Sequence, residues 1–174
     1  MKLIKGKMLE ILYQDDYLIA INKPHGLFVH KTNFDASEEA AALQILRDQV
    51  GKYVNPIHRL DRKTAGIVLF SFDLDAHKAI ASQFENHTIQ KEYTALVRGF
   101  SPDFGTIDYP LTNLSGKVQE AVTDFQTIEK IELNLPFGKH PTSRYSVVKV
   151  LPKTGRYHQI RKHFAHIFHP IIGD

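Results

Sequence analysis

Three short segments of the chain carry reactive side chains in patterns that packing alone does not explain. They are residues 58–62 (HRLDR), 91–93 (KEY) and 155–161 (GRYHQIR). In the first segment a single carboxylate, Asp61, stands between two arginines, whose charges favour its ionised form. A nucleophile or a general base requires that form. The same pattern also fits an ion pair that only fixes a loop, so the residues alone leave both interpretations open.

Positive charge is concentrated in the C-terminal part of the sequence. Residues 133–173 contain no Asp or Glu and seven Lys or Arg, whereas the rest of the chain has 15 basic and 19 acidic residues. This asymmetry predicts a polyanionic partner such as nucleic acid, and a solvated basic face is the alternative. His163 and His166 are three residues apart on a predicted helix, but no carboxylate lies within the thirty residues before them. The pattern therefore predicts no metal site.

Hydrophobic periodicity indicates the elements that must position these segments. In residues 92–99 the alternation places Tyr93, Ala95 and Val97 on one face of a half-buried strand. Residues 58–64 are predicted as a loop that follows Asn55-Pro56. The predicted strands are residues 8–13, 17–22, 66–71, 92–99, 118–128 and 144–151. The predicted helices are residues 37–51, 73–87 and 157–168.

The order of the predicted elements indicates the fold class. Strands and helices do not alternate regularly, so we expect an α+β fold around a largely antiparallel sheet rather than a doubly wound sheet. In the first helix Ser37 is predicted as the N-cap and Gly51 as the end, with Leu46 on the apolar face. In the last helix the predicted apolar stripe ends at Phe168.

Length and composition are those of one compact globular domain. The chain has 174 residues, of which 43% are hydrophobic and 24% charged, and it shows no linker or internal repeat. We therefore expect residues 1–174 to form a single domain. The sequence has no cysteine and no apolar run near the roughly 18 residues that a membrane span needs. We expect a cytoplasmic protein with no membrane partner.

The segment around Asp61 resembles a family signature. Residues 58–66 (HRLDRKTAG) are similar to the H-R-L-D-R-x-T-S-G pattern of the RluA family of pseudouridine synthases. Further segments are similar to other motifs of that family, in the same order. They are N-K-P-x-G with V-H in residues 22–30, K-x-Y in residues 91–93, G-R-x-H-Q-I-R-x-H in residues 155–163 and P-I-x-G-D in residues 170–174. The resemblance thus covers nearly the whole chain.

The resemblance implies an enzyme that isomerises uridine to pseudouridine within RNA. The reaction detaches uracil from C1′, rotates it and rejoins it through C5, so it requires one carboxylate and no cofactor or metal. The implied fold is a mixed, largely antiparallel sheet with flanking helices and a central active-site cleft. Two departures are present: Ala65 stands where serine is more frequent, and family members usually continue beyond the equivalent of Asp174. We therefore expect the domain to lack its C-terminal part.

The resemblance assigns roles to residues of the three reactive segments. Asp61 is implied as the essential catalytic residue, and Tyr93 as the residue that stacks on the target base. On this basis Arg161 is expected to hold Asp61 in a bidentate pair, which lysine cannot form. Ile160 is expected to form the opposite apolar wall. By pattern alone, Tyr93 and Ile160 fit core packing, and Arg161 fits solvent or phosphate contact.

Other residues of the same motifs are expected to support the site. Arg62 is expected to fill the gap left by a flipped uridine or to contact a phosphate, with a simple surface arginine as the alternative. His58 and Arg59 complete the supporting set around Asp61. The expected RNA contacts are Lys149, Lys153, Arg156, His158 and Lys162.

Three stretches resemble one branch of the family in particular. Residues 8–15, 84–91 and 108–111 look most like the branch that modifies uridine 65 in the T stem of tRNA. The expected partner is therefore RNA, and tRNA first, with the protein acting as a monomer. Large-subunit ribosomal RNA is the alternative substrate. A non-catalytic RNA-binding module is the alternative function, although the central carboxylate and its arginine partner are both present.

Overall fold

The computed structural model of the protein describes residues 8–30 and 40–173. The chain divides into two compact units, Met1–Thr88 and Ile89–Asp174. The expectation of a single domain stays a prediction. Within the described residues, no helix is long and apolar enough to span a membrane.

The first unit is a four-stranded antiparallel sheet with two helices. Its strands are β1 (Glu10–Gln14), β2 (Leu18–Lys23), β3 (Asn55–Pro56) and β4 (Gly66–Ser71), and its helices are α1 (Ala42–Val50) and α2 (Leu74–Glu85). The strand order is β1-β2-β4-β3. The predicted strands of residues 8–13 and 17–22 form an antiparallel hairpin, in which the Asp15 carboxylate accepts hydrogen bonds from the amides of Tyr17 and Leu18 and closes the turn.

The core of the first unit lies where the two central strands meet α1. Ile19 and Ile21 of β2 stand opposite Phe70 and Val68 of β4, and all four side chains are fully buried. Leu46 of α1 packs in the same core. The predicted strand of residues 66–71 is thus confirmed, and it fixes the end of the loop that carries Asp61.

The ends of the helices follow the predicted capping chemistry only in part. Asp73 caps α2, since its carboxylate accepts from the amides of Asp75 and Ala76. Gly51 ends α1 in the left-handed conformation, as expected. The predicted N-cap of α1 is wrong: the helix begins at Ala42 with Ala41 as its N-cap, and Ser37 lies outside the described residues.

The second unit holds a four-stranded antiparallel sheet, a two-stranded sheet and one helix. Its elements are β5 (Tyr93–Arg98), β6 (Phe104–Asp108), β7 (Leu111–Thr112), β8 (Val118–Gln119), β9 (Val122–Leu133), β10 (Ser143–Pro152) and α3 (Gln159–His166). The order in the larger sheet is β5-β10-β9-β6, and β7 pairs with β8. The antiparallel α+β class is therefore confirmed.

Two predicted elements of the second unit are corrected. The strand of residues 118–128 is two strands, because the chain first pairs with β7 and then changes partner to β6. The last helix is shorter than residues 157–168. His158 adopts a left-handed backbone before it, and Phe168 adopts one after it with φ of 63°. Phe168 is 89% exposed and is not part of the apolar stripe, which ends at Ile167.

Candidate active site

Asp61 lies on the loop between β3 and β4, as the sequence predicts, and the side chain of His58 and a backbone turn fix that loop within the first unit. His58 accepts a hydrogen bond at Nε2 from the amide of Leu69 in β4, at 3.2 Å, and stacks on Phe84 of α2, with ring centroids 4.6 Å apart. The carbonyl of Asp61 accepts from the amide of Thr64 at 3.1 Å, which closes a turn. His58 thus ties the start of the loop to the sheet, and Asp61 is half-buried.

The loop of residues 24–28 packs beside the Asp61 loop. The amide of Gly26 donates to the carbonyl of Arg62 at 2.9 Å, and Arg62 Nε donates back to the carbonyl of Gly26 at 3.0 Å. Gly26 has a φ of 85°, a conformation that favours glycine, so the N-K-P-x-G pattern has a backbone reason for its glycine. The Arg62 guanidinium also lies over the ring of Phe28, 5.1 Å from its centroid. The side chain of Arg59 is exposed.

Lys23 is a site residue to which the sequence analysis gave no role. Its side chain is fully buried, and its ammonium donates to three carbonyl oxygens, of Pro24, Leu27 and Arg62, at 3.1, 2.8 and 3.2 Å. Burial lowers the pKa of Lys23 to about 8, and the charge of Asp61 acts in the opposite direction. Because Asp61 affects this pKa, the two groups are electrostatically coupled. The signal in the sequence was the lysine of the N-K-P-x-G motif, at the end of a strand whose central residues are buried.

In the second unit, Tyr93 and Ile160 lie against the same hydrophobic core. Tyr93 opens β5 opposite Val150 of β10, and the alternation expected for residues 92–99 is confirmed, with Val97 fully buried. Tyr93 and Ile160 are partly buried and both pack against the cluster that contains Val150 and Phe164. A partly buried ring keeps one part in the core and another accessible, so core packing and a base-stacking role are compatible.

Gln159 fixes the loop that leads into α3, and the sequence analysis gave it no role either. It is buried, and its amide oxygen accepts from Thr154 Oγ1 at 2.7 Å and from the amide of Arg156 at 2.9 Å. Its amide nitrogen donates to the carbonyl of Val122 and to Thr123 Oγ1. The amide oxygen and the amide nitrogen of this buried side chain therefore each make two hydrogen bonds, and these bonds hold the segment in place. The glutamine of the G-R-x-H-Q-I-R motif was the available signal.

Lys91 holds the same loop from the other side. Its ammonium donates to the carbonyl of Thr154 at 3.0 Å, and it lies 3.7 Å from where a Cβ on Gly155 would be. Burial lowers the pKa of Lys91, and the nearby positive charge of Arg156 lowers it further. The lysine of the K-x-Y motif and the glycine of the G-R-x-H-Q-I-R motif are therefore neighbours within the second unit.

Arg161 stands in the first turn of α3 and contacts His158. Its Nη1 lies 3.0 Å from His158 Nδ1. A guanidinium can only donate, so Nδ1 of His158 accepts and its proton is on Nε2. His158 is in turn stacked on Tyr157, with centroids 3.7 Å apart. This arrangement fixes the direction of the guanidinium.

The residues expected to contact RNA already have partners within the second unit. Lys149 pairs with Glu92 at 2.6 Å and Lys153 with Asp124 at 3.0 Å. Arg156 Nε donates to the carbonyl of Glu120 and Lys162 to that of Thr112.

Lys149 also lies apart from Tyr93 on the sheet. It stands opposite Thr94, whereas Tyr93 stands opposite Val150. Successive strand residues point to opposite faces, so Lys149 lies on the face of the sheet away from Tyr93. The structure does not bring these two predicted site residues together.

His163 and His166 have packing partners on one segment of the second unit. His163 is fully buried with Nε2 3.0 Å from the carbonyl of Tyr109, and burial lowers its pKa. His166 stacks on the Tyr109 ring, with centroids 3.7 Å apart. In residues 8–30 and 40–173, no three His, Cys, Asp or Glu side chains are grouped as metal ligands would be.

Known proteins resemble this chain over most of its length. A family model described as RNA pseudouridylate synthase matches residues 17–166. A relative from Haemophilus ducreyi named tRNA pseudouridine synthase C is 48% identical over 176 residues, which are 95% of this chain and 72% of the relative. A protein of the same name from Salmonella typhimurium is 45% identical over 178 residues, which are 96% of this chain and 68% of that protein.

Two solved structures share the fold. Human RNA Pseudouridylate Synthase Domain Containing 1 superposes with a TM-score of 0.80 at 22% identity, over 100% of this chain and 71% of that one. Human RNA Pseudouridylate Synthase Domain Containing 4 gives 0.75 at 26% identity, over 95% of this chain and 67% of that one. The family signature at Asp61, the match over residues 17–166 and these likenesses agree, and this chain belongs to the family of RNA pseudouridylate synthases.

Proposed function

We propose that this protein isomerises a uridine of tRNA to pseudouridine, at position 65 in the T stem. The observation that carries the substrate class is the identity of 45 to 48% with proteins named tRNA pseudouridine synthase C, over nearly the whole chain. The observation that carries the chemistry is Asp61, on a loop that His58 joins to β4 and whose Arg62 carbonyl accepts hydrogen bonds from Gly26 and Lys23.

Asp61 is the catalytic group of this proposal. The C1′–N1 bond of the uridine breaks, the uracil rotates, C5 bonds to C1′, the proton on C5 leaves to solvent, and N1 takes up a proton, so the product is an isomer of the substrate. One carboxylate assists by attacking the sugar or by removing a sugar proton, and no change of oxidation state takes place. The loop supports this role because its backbone is hydrogen-bonded on both sides of Asp61, which limits the movement of the carboxylate.

Arg161 is proposed to pair with Asp61 in two parallel hydrogen bonds that orient the carboxylate. The contact between Arg161 and His158 supports this, since a guanidinium whose direction is fixed loses less side-chain entropy on pairing. Tyr93 is proposed to stack on the flipped base and Ile160 to form the other apolar wall. Their common packing against one core supports that pairing of roles.

Arg62 is proposed to contact RNA beside the flipped nucleotide, with His58 as a positioning residue and Arg59 at the exposed edge of the loop. Arg156, His158 and Lys162 are proposed as RNA contacts. Arg156 also joins the segment before α3 to the carbonyl of Glu120, and Lys162 joins α3 to the carbonyl of Thr112. Lys149 and Lys153 contribute to the general electrostatic attraction. A monomer in the cytoplasm is proposed for the active form, and sedimentation with and without tRNA tests the oligomeric state.

The experiment offers the enzyme tRNA and ribosomal RNA transcripts that carry 5-tritiated uridine, measures tritium release, and maps the product by chemical labelling. We expect release from tRNA at the T-stem uridine. A tRNA with a weakened T stem is expected to react at least as well, because opening a pair costs a few kcal/mol before a stem base can flip. Modification of ribosomal RNA alone would contradict the tRNA assignment, and no release from either RNA would contradict the isomerase function.

A further inference from the structure

The tip of the hairpin formed by β9 and β10 has no function in the site described above. Phe137 and His140 exchange backbone hydrogen bonds of 3.0 and 3.1 Å, so Gly138 and Lys139 form a two-residue turn. Gly138 has a φ of 60°, as such turns require at the first position. Residues 133–141 are exposed. Lys139 is therefore presented to solvent at the tip of an ordered hairpin.

Arginines lie over aromatic rings beside this tip. The Arg98 guanidinium is 4.1 Å from the centroid of Phe137, and that of Arg144 is 5.1 Å from the centroid of Phe100. Phe137 is 57% exposed, so Arg98 and Phe137 form one accessible pair. A guanidinium that lies over a ring still has N–H groups that can donate to a phosphate.

The charge of the tip is positive. Glu132 is the carboxylate nearest in sequence, and Arg144 Nε pairs with it at 3.1 Å. Arg98 and Lys139 therefore leave an excess of positive charge, and residues 133–173 contain no Asp or Glu. We define the hairpin-tip surface as Arg98, Phe100, Phe137, Lys139 and Arg144. Its cations and ring-supported guanidinium groups favour a polyanion over an apolar protein partner.

The hairpin-tip surface is distant from Tyr93, the residue of the same unit that is proposed to stack on the flipped base. Tyr93 and Arg98 are the two ends of β5, and Val150, opposite Tyr93, is six residues from Arg144 along β10. At about 3.3 Å per residue, the surface is roughly 20 Å from Tyr93 along the sheet. Arg98, five residues after Tyr93 in β5, points to the other face of the sheet, so RNA that contacts both must pass around the end of the strand. RNA that contacts it is far from the nucleotide that is modified.

We propose that the hairpin-tip surface binds the phosphodiester backbone of the substrate RNA, about 20 Å from Tyr93, as a second anchor that positions the RNA. This rests on the proposed function, which supplies RNA as the substrate and Tyr93 as the base platform. Phosphate contacts fix register and orientation, so the anchor contributes to affinity and leaves the chemical step unchanged.

The test measures tRNA binding by fluorescence anisotropy over a series of salt concentrations, together with kcat and KM from tritium release. Lys139→Gln and Arg98→Gln are each expected to raise Kd and KM about threefold to tenfold with kcat unchanged. Each is expected to reduce the slope of log affinity against log salt by about 1. Lys78→Gln, the same change at an exposed lysine of α2, is the matched control and is expected to leave Kd unchanged.

The outcomes separate this proposal from the proposed function. Lys139 is exposed at a turn, so its variant keeps the fold and gives a clear reading even if Arg98→Gln is unstable. An unchanged Kd in Lys139→Gln, with an active parent, overturns the anchor and leaves the isomerase intact. A parent that binds tRNA but releases no tritium overturns the function, while the Kd values still decide the anchor. If Phe137→Ala alters sedimentation without altering Kd, the surface joins two copies of the chain and the anchor is also overturned.

Discussion

The ammonium of Lys23 donates a 3.2 Å hydrogen bond to the carbonyl oxygen of Arg62, the residue that follows Asp61. The same ammonium binds the carbonyls of Pro24 and Leu27, so one buried cation joins the N-K-P-x-G loop to the loop of the proposed catalytic residue. The position of Asp61 therefore depends on a side chain nearly forty residues earlier in the chain. Removal of Lys23 would leave these three carbonyls without this donor.

The lowered pKa of Lys23 predicts that the stability of the protein depends on pH. Its pKa is lowered from the ordinary 10.5 to about 8 by burial, so between these values the unfolded chain binds more protons than the folded one. The contribution to the free energy of unfolding is thus fully present above pH 10.5 and is lost as the pH falls through about 8. From pH 8 to 10.5 we expect the parent to gain up to about 3 kcal/mol relative to Lys23→Met in urea unfolding. Parallel pH curves for the two proteins would show that Lys23 titrates normally.

Asp61 and Lys23 are coupled in a way that NMR can detect. Since the charge of Asp61 raises the pKa of Lys23, Asp61→Asn is expected to lower that pKa further. A titration of the labelled lysine side chain measures it, and Asp75→Asn, on α2, serves as the control. An unchanged or raised Lys23 pKa in the Asp61 variant would mean that the two groups are not neighbours in solution.

Asp61→Asn is expected to abolish isomerisation and to leave the affinity for RNA nearly unchanged, because it removes the carboxylate and keeps its shape. The loss of a covalent or basic catalyst costs on the order of a thousandfold in rate. Tritium release measures the rate and anisotropy the affinity. Residual activity within tenfold of the parent would refute the assignment of Asp61.

Arg161→Lys is expected to lower kcat on the order of a hundredfold with little change in KM, because a point charge cannot form two parallel bonds to a carboxylate. The reverse exchange at the next residue, Lys162→Arg, is the control and is expected to cost little. A raised KM with normal kcat would mean instead that Arg161 contacts a phosphate.

Tyr93→Phe is expected to keep more activity than Tyr93→Ala, since stacking uses the ring and not the hydroxyl. Base stacking on an aromatic side chain contributes about 1 to 3 kcal/mol per base, so the alanine variant should lose roughly tenfold or more in kcat/KM. Single-turnover rates of both variants measure this. Equal losses in the two variants would assign the effect to the hydroxyl.

Lys149 and Lys153 each form an ion pair, so changes to the lysines and changes to their acidic partners are expected to alter RNA affinity in opposite directions. Reversal of Lys149 and Lys153 to Glu is expected to weaken binding of many RNAs alike without changing the uridine that is modified. Glu92→Gln and Asp124→Asn, which release these lysines from their partners, are expected to strengthen binding at low salt. Affinity that is insensitive to salt would exclude this face from RNA binding.

The sequence by itself determined the family chemistry and the order of the elements. The loop of Asp61, the strand of Tyr93 and the first turn that carries Arg161 are all where local pattern and motif placed them, because turn residues, strand alternation and helix periodicity are local properties. The wrong predictions concern the ends of elements and a change of strand partner. They are the start of α1 at Ser37, the end of the last helix at Phe168, and the single strand of residues 118–128 that is β8 and β9 in the structure.

Only the tertiary structure decided which polar groups are buried together. Lys23, Gln159 and His163 are chemically ordinary in the sequence, yet each is buried with hydrogen bonds to distant backbone atoms. The same holds for Lys149, whose place in the strand puts it on the face away from Tyr93. Burial and pairing depend on which segments the fold brings into contact, and a buried polar group must then find its partner there, wherever that partner lies along the chain.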